Sequence, residues 1–205
     1  MTDEMQSIRS DLAFLKTVAA DEGRLPWVVG ASFLAAGAIY GLPIIAAWAQ
    51  MRGLLDIPGA WTSWVSVWST VVFVPLQIAL TVFGPKPAPG GSTGRAFVPA
   101  WSGMGLTTIV MVLVVFIAGA RLHVPQMWQV WTSICFALWG LAWWVVAMLR
   151  PGRGWLWVAV GSLTTALGNA FLIGTPDEIL GCALGILVWL GAPGLMIMLR
   201  APARA

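Results

Sequence analysis

The chain has 205 residues, of which 59% are hydrophobic and 9% are charged. A soluble domain carries roughly 25% charged residues because its surface faces water, so this composition excludes a soluble globule and favours membrane-spanning helices. The formal net charge of +3 is spread over several segments rather than gathered in one basic patch, which argues against nucleic-acid binding.

Residues 1–24 are predicted to form an amphipathic helix on the cytoplasmic side. Their apolar residues recur at steps of three and four, which places them on one face of a helix. Three hypotheses fit this face: packing on the membrane surface or the chain's own bundle, a coiled-coil contact between copies, and docking of a cytosolic protein. Acidic residues outnumber basic ones here, which disfavours attachment to anionic lipid. The candidate partner-binding residues are Met5, Ile8, Leu12, Leu15 and Ala19.

Six apolar stretches approach the ~20 residues that a membrane-spanning helix needs, and we predict an all-α integral membrane bundle. Residues 25–83 form a first transmembrane hairpin, 84–96 a flexible cytoplasmic loop rich in Pro and Gly, and 97–205 a four-helix transmembrane region. The predicted spans are Pro26–Met51, Ala60–Phe83, Phe97–Ala120, Gln126–Leu149, Trp155–Ile173 and Glu178–Leu199.

The distribution of Lys and Arg predicts the orientation, because basic loops tend to remain in the cytoplasm. With the N-terminus inside, nine basic residues lie in cytoplasmic segments and only Arg52 and Arg121 lie on the other side. Both termini are therefore predicted to be cytoplasmic. Nine Arg against two Lys, with abundant Ala and Gly, suits a GC-rich bacterial genome, which predicts the bacterial inner (plasma) membrane as the location.

The chain contains fourteen tryptophans, and most lie near predicted span ends, where Trp is enriched at the membrane interface. Three of them recur at i, i+3 and i+7 on the second span. If this stripe faces the tryptophans of the fourth span, an aromatic pocket opens toward the outer leaflet for a lipophilic molecule or an organic cation. Interfacial placement and plain packing are the alternatives. The candidate ligand-binding residues are Trp61, Trp64, Trp68, Trp128, Trp131 and Asn169, while Trp101 and Trp155 are assigned to the interface.

Polar groups inside the predicted spans are mild, and Gln77 and Asn169 are the only central amides. Each either bonds neighbouring helices together or lines a path for a small solute. Proton-coupled transport and acid–base catalysis need titratable groups at such depth, and the sequence places none there. No nucleophile, base and orienting group cluster either, so we predict no catalytic residues and no enzymatic activity.

The acidic pair Asp177 and Glu178 follows Thr175 and Pro176 in a pattern typical of a capping box at a helix start. The sole histidine, His123, lies in a short loop without neighbouring metal ligands, so no metal site and no cofactor are predicted.

Glycine and proline positions predict how the spans pack. Two pairs of small residues four apart permit close approach of helices, and prolines within spans interrupt the helical hydrogen bonds. Two cysteines within apolar runs are interpreted as packing residues. These positions are Gly37 with Gly41, Gly181 with Gly185, the prolines Pro43, Pro75 and Pro193, and the cysteines Cys135 and Cys182.

The segment Ser7-Ile-Arg-Ser-Asp-Leu-Ala-Phe-Leu-Lys16, followed by Gly30-Ala-Ser-Phe-Leu-Ala-Ala-Gly37, resembles small, uncharacterised multi-pass proteins of Proteobacteria. Such proteins have about six helices after a short cytosolic helix and occur beside winged-helix transcription regulators. The resemblance covers about the first fifth of the chain and implies no enzymatic activity. It implies that the N-terminal helix docks a protein partner.

These features lead to one functional hypothesis and two alternatives. The leading hypothesis is a non-enzymatic inner-membrane protein that binds a partner through its N-terminal helix and senses a lipophilic ligand in a Trp-lined pocket. The first alternative is a passive channel or small-solute transporter, and the second is a structural subunit of a membrane complex. Membrane lipids, a cytosolic protein or a second copy of the chain are the expected partners.

Overall fold

A computed structural model describes residues 27–56, 58–59, 64–84, 92–124, 127, 129–149 and 153–200, without the side chains of 66 and 92–99. This described part is helical and contains no strand, which confirms the predicted all-α fold. The helices are α1 (Trp27–Met51), α2 (Val65–Phe83), α3 (Ser92–Leu122), α4 (Val130–Leu149), α5 (Arg153–Leu172) and α6 (Asp177–Arg200).

Five of these helices are long and apolar enough to cross a membrane, namely α1, α3, α4, α5 and α6. The apolar part of α2, Val67–Phe83, is shorter. The composition and the helices thus agree on a membrane-spanning protein. The predicted N-terminal helix, residues 1–24, lies outside the described residues.

The helix boundaries follow the apolar runs closely, with one difference. α3 begins at Ser92, inside the segment 84–96 that the Pro and Gly content assigns to a loop. Ser and Thr are favoured where helices start, and Ser92 and Thr93 follow the last proline of that segment, Pro89. The helix therefore extends several residues before its apolar part.

α1 packs along the whole length of α6, and glycines bring the two backbones together. A Cβ placed on Gly37 would lie 2.6 Å from the Cα of Gly191, and one on Gly30 would lie 2.8 Å from the carbonyl oxygen of Gly194. One turn after Gly37, Gly41 accommodates the side chain of Leu187. The close packing predicted for Gly37 and Gly41 is confirmed.

The remaining helices are arranged around this pair. α5 packs against the first half of α6 and most extensively against α4, while α3 packs on α4 and α2 packs on α1. The sequence divides the chain at the loop 84–96 into a first hairpin and a four-helix region. The structure joins these two parts, because the glycine face of α1, from the hairpin, packs on α6, from the four-helix region.

Pro193 interrupts the hydrogen bonding of α6. Residues Leu187–Gly191 form a π-helical turn just before it, as happens where a residue cannot donate within the helix. Since proline has no N–H, the carbonyl of Trp189 loses its usual donor. The indole N–H of Trp143 on α4 donates to that carbonyl oxygen at 3.1 Å.

Pro43 in α1 creates the same deficit at the carbonyl of Ile39, four residues earlier. The hydroxyl of Ser69 on α2 donates to that oxygen at 2.7 Å and is buried there. Inside a membrane an unpaired carbonyl costs several kcal/mol, so this bond anchors α2 to α1.

Candidate functional site: a polar seam between three helices

Side chains of α4 and α5 fit into glycine notches of α6, and together they form a narrow seam between the three helices. The carboxamide of Asn169 on α5 lies against Gly181, and the ring of Phe136 on α4 lies 2.5 Å from where a Gly185 Cβ would be. The predicted small pair of α6 therefore receives side chains rather than another backbone. We call this region, with Thr132, Ser133, Asn169 and Glu178, the polar seam.

Glu178, in the first turn of α6, is a buried carboxyl group with only 5% of its surface exposed. Its Oε1 lies 3.2 Å from the hydroxyl oxygen of Thr132 on α4. That same hydroxyl lies 3.1 Å from the carbonyl oxygen of Gln129. A hydroxyl carries one hydrogen, so these two acceptors share it or compete for it.

The neighbouring acid, Asp177, is partly exposed and has a different role. It accepts hydrogen bonds from the guanidinium of Arg52, with which it forms an ion pair, and from the indole N–H of Trp48 at 3.3 Å. Trp48 lies in the last turn of α1 and Arg52 directly follows that helix, so this contact fastens the start of α6 to the end of α1.

The predicted capping box is wrong. The hydroxyl of Thr175 donates to the carbonyl of Leu172 at 2.7 Å rather than to the new helix, and the residue preceding α6 is Pro176, which makes no side-chain cap. Gly174 has a φ of 85° and turns the chain between α5 and α6. The two acids are held by α1 and α4, and this tertiary packing replaces the local cap.

Asn169 is only 2% exposed, and its Nδ2 has no hydrogen-bond partner. Two buried oxygens on the α4 side, Oε1 of Gln129 just before the helix and Oγ of Ser133 within it, are also unpaired. Gly140 of α4 lies against Leu163 of α5. Ser133 lies about two turns before Gly140 on α4, and Asn169 lies about two turns after Leu163 on α5. Because the two helices are antiparallel, Ser133 and Asn169 lie at the same level of the bundle.

The opposite end of the bundle is aromatic. Trp143 is 0% exposed and stacks on Trp155, with ring centroids 5.2 Å apart and planes at 16°. Its other neighbours are Trp101 at 5.0 Å and Phe33 at 5.3 Å. Aromatic pairs at such separations attract one another. We call Phe33, Trp101, Trp143 and Trp155 the aromatic cluster.

Sequence reasoning missed this cluster. It assigned Trp101 and Trp155 to the membrane interface because they lie near predicted span ends, but Trp155 is buried in the core. The available signal was that α1, α3, α4 and α5 all bring an aromatic residue to the same predicted level. Choosing between interface and core needed the packing partners.

The predicted tryptophan pocket remains a prediction. Trp64 and Trp68 on α2 are 57% and 53% exposed, and Trp131 on α4 is half-buried. α2 packs mainly against α1, and α4 mainly against α5, while Asn169 faces α6. Trp61 and Trp128 lie outside the described residues, as do all five predicted partner-binding residues.

Within the described residues, no three His, Cys, Asp or Glu side chains come together as metal ligands. Cys135 and Cys182 are free thiols on the α4 and α6 sides of the seam. Comparison with protein-family models, curated proteins and solved structures gives no match to this chain.

Proposed function

We propose that this chain is a non-enzymatic protein of the bacterial inner membrane that binds a cytosolic protein through residues 1–24. In this proposal α2 also crosses the membrane, which raises the number of spans from five to six, and both termini are cytoplasmic. At 1.5 Å per residue, the 19 residues of Val65–Phe83 extend for roughly 28 Å, close to the ~30 Å hydrocarbon thickness.

The backbone contact between α1 and α6 carries this proposal. Residues 1–24 lead directly into α1, and α1 touches α6 through Gly37 against Gly191 and Gly30 against Gly194. Packed helices without an intervening side-chain layer move together. A shift of α6 within the bundle therefore reaches the cytoplasmic segment through α1, as a membrane-bound docking protein requires.

Mild-detergent co-purification from native membranes tests the docking. The test variant carries Ile8→Asp and Leu12→Asp on the apolar face, and the matched control carries Gln6→Asp and Ser10→Asp on the opposite face. We expect a cytosolic protein to be retained by the intact chain and by the control, and to be lost from the test variant. Equal retention by both variants would contradict docking through this face.

The ligand part of the proposal rests on Trp64 and Trp68, which lie one turn apart on α2 and present their rings outward. Such rings are placed to meet a lipophilic molecule or an organic cation arriving from the lipid phase. Tetraphenylphosphonium is a suitable probe. Its binding should weaken in a Trp64→Leu, Trp68→Leu variant and persist in Trp157→Leu, which alters an exposed ring on α5.

A passive channel or small-solute transporter is the second candidate, and the unpaired amide of Asn169 favours it. Gln77, the other predicted lining residue, lies on α2 and is no part of the polar seam. If the seam is the path, Asn169→Leu should abolish glycerol or urea flux in proteoliposomes and Gln77→Leu should leave it unchanged. Equal flux in both variants and the unaltered protein would exclude a path through the seam.

A further inference from the structure

We propose that the polar seam binds one monovalent metal cation of the alkali type, held by the carboxylate of Glu178 and neighbouring oxygens. This inference goes beyond the docking function and does not depend on residues 1–24. It starts from the environment of Glu178. Within the described residues, the only hydrogen-bond partner of its carboxyl group is the neutral hydroxyl of Thr132.

A buried carboxylate is costly unless a positive charge accompanies it. Arg52, the cation at the start of α6, is paired with Asp177. The thiol of Cys182 on the same helix interacts with Glu178 but cannot supply a positive charge. In its ionised form Glu178 places one negative charge in the seam, which one monovalent cation would neutralise.

A helix-terminal role alone does not account for Glu178. An acid in the first turn is favoured by the helix dipole, but Asp177 already provides such a charge, at the exposed surface. Glu178 would interact with the helix dipole equally well if it were exposed, so the dipole does not explain why this acid is buried against the oxygens of α4. We therefore infer that it has a partner within the seam.

The ligand set around Glu178 is made of oxygens, which alkali and other hard cations prefer. The hydroxyl of Thr132 has one hydrogen for two acceptors, so the carboxyl of Glu178 receives at most a shared hydrogen bond from it. Gln129, just before α4, lies three and four residues from Thr132 and Ser133, and Gln129 Oε1 and Ser133 Oγ are buried without partners.

Asn169 is the independent observation that points to a ligand. It is almost fully buried, its Nδ2 is unpaired, and the register of α4 on α5 places it at the level of Ser133. The oxygen and nitrogen of a carboxamide exchange places when the group turns over. A bound cation would turn the oxygen into the seam as a further ligand.

The test uses the full-length protein in detergent, in a buffer whose only cation is choline. Sodium, potassium or lithium chloride is then exchanged for choline chloride at constant ionic strength and pH, and thermal unfolding is followed by tryptophan fluorescence. A cation that binds the folded state stabilises it by mass action. We expect one alkali ion to raise Tm by several degrees and to saturate.

Glu178→Gln and Asn169→Leu should abolish this ion-dependent rise in Tm. Asp177→Asn makes the same chemical change one residue earlier, at the exposed ion pair, and should retain the rise. Direct binding of the alkali ion that raises Tm should approach one ion per chain and disappear in Glu178→Gln.

Three results would overturn the inference: equal Tm in choline and all alkali salts, an ion effect that survives Glu178→Gln, or a response to pH alone, which would assign a proton to the seam. Partner retention by the intact chain is measured separately. A protein that binds its partner but shows no ion effect would remove only this inference.

Discussion

The two ends of the interface between α4, α5 and α6 differ in their side chains: one end is aromatic and the other is polar. At one end, within the aromatic cluster, Trp143 is completely buried and its indole N–H donates to the carbonyl oxygen of Trp189. At the other end the polar seam buries Glu178 and Asn169 with hydrogen-bonding capacity left over. The hydrogen bond of Trp143 therefore stabilises the fold, whereas the unpaired groups of the polar seam are where a ligand is expected.

Removing the central ring of the aromatic cluster should have the largest effect. Trp143→Ala deletes the stack on Trp155 and the contacts with Trp101 and Phe33, and it leaves a cavity and an unpaired carbonyl. We expect a loss of ~4 kcal/mol in unfolding free energy. Equilibrium unfolding of the detergent-solubilised protein by denaturant measures it. Trp157→Ala, at an exposed ring, is the control, and equal losses would contradict a structural role for the cluster.

Adding a methyl group at Gly161, beneath the ring of Trp189, should reduce the stability of the fold somewhat less. The indole of Trp189 lies directly on Gly161, so Gly161→Ala forces the ring away and strains its 2.7 Å bond to Thr165. Overpacking of this kind costs up to about 3 kcal/mol. Gly168→Ala adds the same methyl group on the same helix where no atom lies within 4 Å. The two variants should differ in Tm, and matching values would show that the ring adapts freely.

A double-mutant cycle isolates the hydrogen bond at the proline. Trp143→Phe removes the N–H but keeps an aromatic ring, leaving the carbonyl of Trp189 unpaired at a cost of about 2 kcal/mol. Pro193→Ala restores a backbone N–H that can donate to the same carbonyl. Part of the cost of Trp143→Phe should therefore disappear in the Pro193→Ala background. Additive losses in the four unfolding curves would mean that the bond contributes nothing measurable.

The smallest effect on stability is expected in the polar seam. Asn169→Leu replaces a buried, partly unpaired amide by an apolar side chain of similar volume, so stability in choline buffer should change by less than ~1 kcal/mol in either direction. Thermal unfolding in that buffer measures it. This small change would contrast with a complete loss of the ion effect. A large destabilisation in choline would mean that the amide is structural.

The sequence was sufficient to predict the helices and their close-packed glycines, because both depend on local patterns. Apolar length identified α1 and α3 to α6, and the spacing of Gly37 and Gly41 predicted the close approach that Gly191 completes. The partner of those glycines was not predictable. It depends on which helix presents a matching surface more than a hundred residues later.

The polar seam was hidden from the sequence for a related reason. Glu178 has the local spacing of a capping residue, and only α4, through Thr132, shows that its carboxyl is used elsewhere. Likewise, Trp155 has the position of an interfacial ring until Trp143 covers it. Residues with two plausible local roles are assigned by their tertiary neighbours, which one-dimensional patterns do not contain.

The backbone contact of α1 with α6 also sets the order in which the molecule can be completed. The ribosome makes α1 before the other described helices and α6 after them. The glycine surface of α1 therefore has no α6 to pack against while α2 to α5 are inserted into the membrane. During this interval Gly30 and Gly37 are open to helices of other nascent chains, and the bond between Ser69 and Ile39 already holds α2 on a different face. Among the described helices, α6 is therefore expected to dock last, between α1, which is made first, and α5, which is made just before it.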